Sequence, residues 1–356
     1  MCRISSRDCS RYRATADRPA SSTCTRSLED LLVLTPAGLY CPRGGFHIDP
    51  WEPVELAVIT HAHADHLKPG SRSYLVSEPG RQIATERLPE GPVPRAIVYG
   101  EPLKLGDVTV SLHPAGHLLG SSQVRIETAD SVWVATGDYK RASDPSCLPF
   151  ELVACDVLVS EATFALPAYQ WPETAEVIEE ILTWWQDNAA QGVASVLFAY
   201  ALGKAQRVLA ELAPLTDQTI YLHGAVSRMT DIYRAAGVRL AATAAVPDEP
   251  AAYFKKALII APPSAAGSPW LRRFGDASHG MCSGWMRIRG DRRRRGVDRG
   301  FVLSDHADWP GLLATVRECG AKRVLLTHGH GEAFARYLRE LGLDASAMSA
   351  PYGAEA

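Results

Sequence analysis

The chain has 356 residues, 46% hydrophobic and 22% charged, enough apolar material for one large packed unit or two closely joined ones. Its formal net charge of -3 excludes nucleic-acid binding by net charge alone, so any polyanion site has to be a local concentration of Lys and Arg. No apolar run approaches the roughly 18 residues of a membrane span, and the eight cysteines contain no CxxC pair, which points to a reduced, cytoplasmic protein without membrane association.

Residues 1–27, rich in Ser, Arg and Thr, lack a secretory apolar stretch and read as a disordered N-terminal extension or a misassigned start. Leu31–Leu34 and Leu56–Thr60 are short apolar runs of the kind that form buried strands, and the second delivers His61-Ala62-His63-Ala64-Asp65-His66 at its end. Val108, Val110 and Leu112 alternate with polar residues, the period of a half-buried strand, until Pro114–Gly116 breaks it just before His117. Segments 123–128 and 132–136 read as a hairpin that runs into Gly137-Asp138. From Pro172 onward, apolar residues recur at helical spacing (Val177, Ile178, Ile181, Leu182, Trp185). A strand at 195–200, a helix at 204–212, a strand at 219–222, a helix at 227–236 and a strand at 258–261 follow, an order that predicts a parallel sheet covered by helices. The last third returns to strands ending in polar clusters, Ser304-Asp305-His306 after 301–303 and His328 after 324–327.

Six of the eleven histidines (61, 63, 66, 117, 306 and 328) follow predicted strands, with Asp65, Asp138 and Glu161 in equivalent places. His47, His113, His223, His279 and His330 read as structural. Three imidazoles and a carboxylate in one hexapeptide repel and crowd each other unless cations hold them, and His with Asp is the ligand chemistry of Zn²⁺ and its first-row neighbours. His61 and His63 point the same way in an extended loop, while Asp65 and His66 address a second point, so the loop can serve two ions. Asp138, with Gly137 allowing close backbone approach, suits a bridge. His117 can complete the first ion and His328 the second. Two ions about 3.5–4 Å apart activate water and clamp an in-line phosphoryl displacement. Glu161 and His306 remain as an acid pair for the leaving oxygen, the carboxylate orienting the imidazole and raising its pKa. Asp65 is counted with them among the catalytic residues.

The hexapeptide matches the HxHxDH signature of the metallo-β-lactamase fold. Ser160–Phe164 (SEATF) looks like motif A of the β-CASP nucleases, Ser304–Asp308 (SDHAD) like motif B and Leu326–Gly329 (LTHG) like motif C. Within that superfamily, Thr35–Pro42, Phe198–Gln206 and Ala261–Trp270 resemble the bacterial ligase-associated DNA exonucleases. The resemblance implies an α/β protein: a metallo-β-lactamase αββα sandwich from residues 28–165 and 291–356, with a Rossmann-like α/β β-CASP cap at 166–290. It implies a DNA exonuclease in DNA repair that uses two divalent ions (Zn²⁺ and/or Mn²⁺) beside an ATP-dependent DNA ligase and a helicase. It gives His61, His63 and His117 to one ion, Asp65, His66 and His328 to the other, Asp138 to both, and a supporting role beneath the ligand loop to Asp49. His328 is the motif C residue typical of RNA-cleaving members, and His330 competes with it as a ligand.

For the substrate, Lys204 at a helix start and Ser264, Ser268 and Arg272 after a strand are candidate phosphate contacts, each equally readable as an ordinary turn. Six arginines in nine positions at 287–295 can track a phosphate backbone or form a solvated loop. Trp270, Trp285 and Trp309 read first as core. The alternatives to a DNA nuclease are an RNA 3′-end-processing ribonuclease of the same fold and a catalytically silent scaffold subunit; a small-molecule hydrolase has no need of the cap.

Overall fold

The computed structural model describes residues 30–288 and 296–348. The extension expected at 1–27 and most of the arginine run at 287–295 lie outside the described residues.

Strands β1 (Val33–Thr35), β2 (Gly38–Cys41) and β3 (Phe46–Ile48) form an antiparallel meander. Strands β4 (Ala57–Val58), β5 (Tyr74–Ser77) and β6 (Arg95–Ile97) extend it in parallel, in the order β1-β2-β3-β4-β5-β6. Helix α1 (Arg81–Arg87) lays Ile83 and Ala84 against Ala57, Ile59, Tyr74 and Val76. The strand expected over 56–60 is two residues long because Thr60 is drawn out of the ladder. Its N–H donates to Asp49 Oδ1 at 2.7 Å and its hydroxyl to Oδ2 at 2.5 Å.

Strands β7 (Leu103–Leu105), β8 (Val108–Pro114), β9 (Ser122–Glu127) and β10 (Val132–Ala135) are mutually antiparallel, β9 and β10 being the expected hairpin, and β11 (Val157–Glu161) runs parallel to β10. The alternation read at 108–112 turns Val108, Val110 and Leu112 towards the first sheet, where they are fully buried with Phe46, Ile48, Val58 and Leu75. Burial of each such side chain stabilises by about 1.5–3 kcal/mol, and Leu112→Ala would cost about 2–5 kcal/mol through the cavity it leaves.

The chain then builds a third sheet before it returns. Helix α2 (Thr174–Ala190) leads to β12 (Ser195–Phe198), α3 (Lys204–Leu212), β13 (Ile220–Leu222), α4 (Gly224–Ala235), β14 (Thr243–Ala245), β15 (Leu258–Ala261), β16 (Ser278–Cys282) and β17 (Arg299–Phe301). Their order is β14-β13-β15-β12-β16-β17, and every pairing is parallel, as the alternating pattern predicts. Leu197 and Ile260 face α2 and α3, whereas Val196, Phe198 and Ile259 face Phe254, Phe274 and Met286, so the sheet is buried on both sides.

Helix α5 (Trp309–Glu318), β18 (Arg323–Thr327), α6 (Gly331–Glu340) and β19 (Asp344–Ala347) close the chain, and β18 pairs with β11 to complete the second sheet as β19-β18-β11-β10-β9-β8-β7. The third sheet is therefore inserted between two neighbouring strands of the second. Helices α5 and α6 were not anticipated. Their apolar residues, Leu312, Leu313 and Val316 and then Phe334, Ala335 and Leu338, span little more than a turn each and take their meaning from the outer face of the second sheet, where they meet Val134, Leu158, Val324 and Leu326. Asp308 caps α5 by accepting the Gly311 N–H at 2.9 Å, with Pro310 in the first turn. Among the described residues the two mixed sheets are thus packed face to face with helices outside each. The ends of β4, β10, β11, β17 and β18 deliver His61, Asp138, Glu161, His306 and His328.

Candidate metal centre and catalytic cavity

The ligand loop is held from below. Asp49, with a left-handed φ of 44°, grips Thr60 through both oxygens and also accepts from His66 Nδ1 at 2.7 Å. One carboxylate therefore fixes the first and last residues around the hexapeptide. Thr60 Oγ1 lies 3.1 Å from His61 Nδ1. Gly137 packs directly over Thr60: a Cβ there would meet Oγ1 at 2.5 Å.

Above this floor four side chains converge. His61 Nε2 and His63 Nδ1 are 3.1 Å apart, and His63 Nδ1 and His117 Nε2 3.2 Å. Asp138 Oδ2 lies 3.5 Å from His61 Nε2 and 3.8 Å from His117 Nε2. A tetrahedral ion with ligands at about 2.0–2.1 Å spaces them about 3.3–3.4 Å apart, so these four atoms fit Zn²⁺ or a similar divalent ion. The opposite ring nitrogens are occupied: His61 by Thr60, His63 Nε2 by the Leu202 carbonyl at 3.1 Å, and His117 Nδ1 by the Asp305 carbonyl at 2.7 Å. Such outer contacts fix tautomer and ring direction in metal sites. Two of the three come from residues after β12 and β17, so the third-sheet segment completes the ligand geometry. Burial lowers the pKa of His61, His63 and His117, strongly for the first and last, keeping them neutral and able to donate a lone pair.

A second, looser group surrounds His66. Its Nε2 is buried without a hydrogen-bond partner, 3.5 Å from Asp65 Oδ2 and 3.4 Å from Asp138 Oδ2. Burial opposes the His66 cation, yet Asp138 and Asp49 hold its pKa well above the ordinary imidazole value. Burial likewise opposes the Asp138 carboxylate, and the imidazoles of His66 and His306 outweigh it to hold that pKa well below the ordinary range. His328, at a left-handed φ of 59°, places its ring 5.5 Å from that of His66. His330 instead stacks on Tyr169 at 6.1 Å, and its N–H donates to the Ala162 carbonyl. The structure thus brings His328, not His330, beside His66.

Glu161 is buried and fully engaged. Its Oε1 accepts from the Tyr139 N–H at 2.7 Å, and its Oε2 accepts from Thr163 Oγ1 at 2.6 Å and from His306 Nδ1 at 2.8 Å. The contact to Glu161 engages Nδ1, so Nε2 is the ring nitrogen not used in it. Trp171 Nε1 donates to the His306 carbonyl at 2.9 Å, and the His306 ring lies 4.8 Å from that of His117. One carboxylate oxygen of Asp138 and one atom each from Glu161 and His306 fall within 4.8 Å of one another, so the acid pair and the ligand cluster share one space.

That space is a cavity of about 540 Å³ lined by His63, Asp65, His117, Asp138 and His306, by Tyr200–Leu202 and Lys204 of the third-sheet segment, and by Ser283–Trp285 and Arg87. Lys204 reaches the cavity wall but is engaged: its Nζ pairs with Asp305 Oδ2 at 2.8 Å, and burial pushes its pKa down to about 8. Arg207 joins the same carboxylate at 3.2 Å and Asp144 at 3.6 Å, and Lys140 pairs with Asp144. Ser264, Ser268 and Arg272 do not line the cavity. They lie in the turns after β15, and the Ser268 hydroxyl is buried without a partner among the described residues. Trp270 packs on Phe274 and Trp309 on Phe334, as core residues, whereas Trp285 reaches the cavity. Of the arginine run, Arg287 is described and donates to the Ala168 carbonyl at 3.4 Å. Arg87, Asp305 and the Leu202 carbonyl were not singled out from the sequence. A lone Arg, an acidic residue inside a motif quoted for its histidine, and a backbone oxygen carry no pattern of their own.

No helix among the described residues is long and apolar enough to cross a membrane. No family model matches the chain. It is 32% identical over 313 residues to a protein of Opitutus terrae named a probable DNA ligase, covering 87% of this chain and 30% of that one. It is 24% identical over 241 residues to transcription termination factor FttA of Methanosarcina mazei, covering 55% and 36%, and 21% identical over 209 residues to an RNase J-like protein of Methanocaldococcus jannaschii, covering 51% and 50%. The chain therefore spans about a third of the length of the first two relatives. A crystal structure of a protein of unknown function from Enterococcus faecalis matches with a TM-score of 0.51 at 14% identity over 76% of this chain and 74% of that one, a likeness of fold. These relatives are consistent with a metallo-β-lactamase/β-CASP nuclease family, and together with the His/Asp cluster they point to a metal-dependent nuclease.

Proposed function

We propose that the chain is a metal-dependent DNA exonuclease that hydrolyses phosphodiester bonds during DNA repair in the cytoplasm, in association with an ATP-dependent DNA ligase and a helicase. The observation that carries this reading is the shared space of a four-atom His/Asp ligand cluster and the Glu161–His306 pair. In domain terms, residues 28–165 and 291–356 form a metallo-β-lactamase core and 166–290 a β-CASP cap, with 1–27 an extension. His61, His63 and His117 would hold one ion and Asp65, His66 and His328 the other, with Asp138 between them. When bound, two divalent ions (Zn²⁺ and/or Mn²⁺) supply the Lewis acidity that makes water a nucleophile near neutral pH and neutralises charge at phosphorus.

The chain's own groups do the rest. As the water oxygen bonds to phosphorus, losing one proton to solvent, and the bond to the leaving oxygen breaks, His306 passes a proton from Nε2 to that oxygen and regains one from solvent. Glu161 keeps the opposite Nδ1–H in place and stabilises the ring when charged. Asp49 and Thr60 keep the ligand loop in register. The choice of DNA is supported by the relative named a probable DNA ligase, whose aligned part covers 87% of this chain.

A second reading, an RNA 3′-end-processing ribonuclease, is supported by His328 beside His66 and by relatives named as ribonucleases. End-labelled single-stranded DNA, double-stranded DNA and RNA of matched sequence, each incubated with the full chain in Zn²⁺ or Mn²⁺, separate the two. Stepwise shortening of DNA is expected, and faster cleavage of RNA would favour the second. No cleavage with either ion, and no metal retained, would revive a silent scaffold.

A further inference from the structure

Apart from the ions that Asp65 and Asp138 would hold, the catalytic cavity has few cationic side chains to meet a polyanion. Asp65, Asp138 and Asp305 line it against two cationic side chains, Lys204 and Arg87. Lys204 is spent on Asp305 at 2.8 Å. Arg87 is different. It ends helix α1, lines the cavity, and makes no hydrogen bond or ion pair with any described residue; Asp65 is the charge that bears on it.

Its neighbours fix where it stands. Glu86, one residue earlier, pairs across to Arg228 of α4 at 2.9 Å, which ties α1 to the third-sheet segment, and Leu88, one residue later, is buried in the core. Arg87 and Tyr200 both line the cavity, the first from α1 and the second, a residue 43% exposed, from the third-sheet segment. A cation in the last turn of a helix is favourable for the helix alone, but that role asks for no particular direction and is met equally by Lys. A guanidinium offers a planar fork of donors that matches two phosphate oxygens, which an ammonium does not.

We propose that Arg87 is the substrate-binding residue that holds a backbone phosphate next to the scissile one, so that the strand enters the cavity between α1 and the Tyr200 loop. This rests on the nuclease reading of the site and adds to it the face by which the strand enters. It also reassigns the phosphate contact first sought at Lys204: Lys204 holds Asp305 and, through that residue's loop, His306, whereas Arg87 meets the substrate.

The test uses the full chain with Mn²⁺ and a fluorescently labelled single-stranded oligonucleotide, reading both anisotropy and initial cleavage rates between about 50 and 200 mM KCl. Arg87→Gln is expected to weaken binding by roughly tenfold to a hundredfold, with the loss of kcat/KM appearing mainly in KM. The slope of log K against log salt is expected to fall by about 0.7, the signature of one lost phosphate contact on a single strand. Arg87→Lys should keep the slope and recover part of the affinity, and metal content and melting temperature should match the unmodified chain in both variants. Unchanged affinity and slope in Arg87→Gln, or metal loss in that variant, would overturn the assignment while leaving the nuclease reading intact. An unmodified chain that neither binds nor cleaves the oligonucleotide would overturn both.

Discussion

Replacing Asp305 by Asn is a direct test of how the third-sheet segment is locked to the catalytic loops. Asp305 is 7% exposed and answers two cations that are more deeply buried, Lys204 at 3% and Arg207 at 2%. Asn keeps the shape and the main-chain carbonyl that accepts from His117, but removes the charge. Lys140 and Arg207 would keep the carboxylate of Asp144, whereas Lys204 would lose the carboxylate it pairs with among the described residues. Removing one partner of a buried pair costs about 3–5 kcal/mol, because the stranded charge stays desolvated. At about 2–4 °C per kcal/mol for a domain of this general size, the melting temperature should fall by on the order of 10 °C. The assay is thermal unfolding followed by circular dichroism at neutral pH, with metal content measured on the folded protein, which should be retained because the His117 contact is to backbone. A drop of less than about 1 kcal/mol would refute the reasoning, since it would mean that the Lys204 and Arg207 charges are solvated once their partner is gone.

Asp138→Ala should abolish cleavage together with most bound metal, because Asp138 Oδ2 lies 3.4–3.8 Å from His61, His66 and His117 Nε2. His306→Ala should slow cleavage by about 10²–10⁴-fold yet retain metal; equal loss of metal in the two variants would move His306 into the ligand set. Gly137→Ala should lower metal affinity by about 10–100-fold, read by competition with a chelating dye. Its methyl group would displace Thr60, which orients both His61 and Asp49. Acid sensitivity should follow Asp144 and Asp305. Burial disfavours their charge, but Lys140 and Arg207 beside the first, and Lys204, Lys140 and Arg207 beside the second, hold both pKa values below the ordinary range. A lowered folded pKa contributes stability that is complete above the unfolded value of about 3.9 and is lost as pH falls below it. Urea melts from neutral pH to about pH 3 should therefore steepen below about pH 4 for the unmodified chain and less for Asp144→Asn; parallel curves would contradict this.

Much of the candidate His/Asp cluster is legible in the linear chain because its members follow predicted strands, two of them beside a breaker. HAHADH follows the apolar run at 56–60, Asp138 follows Gly137, and His117 follows Pro114–Gly116. Strand ends of this kind put polar side chains where backbone pairing stops, and a period of two or of 3.6 residues marks the elements themselves, as at Val108–Leu112 and Val177–Trp185. The parallel third sheet follows from the same periods, whereas its insertion between β11 and β18 is decided by strand pairing. Other features have no such mark. The carbonyls of Leu202 and Asp305 orient His63 and His117 from 139 and 188 residues away, and a backbone oxygen looks alike at every position. Lys204 reads as a phosphate-binding cation at a helix start until the fold sets Asp305 against it, because burial and pairing depend on what lies across the gap. Arg87 carries no mark in the sequence, and only the packing of α1 beside the cavity makes it a lining residue. Residue type and spacing specify which groups can do chemistry; long-range packing assigns each of them a partner, a solvent exposure and hence a role.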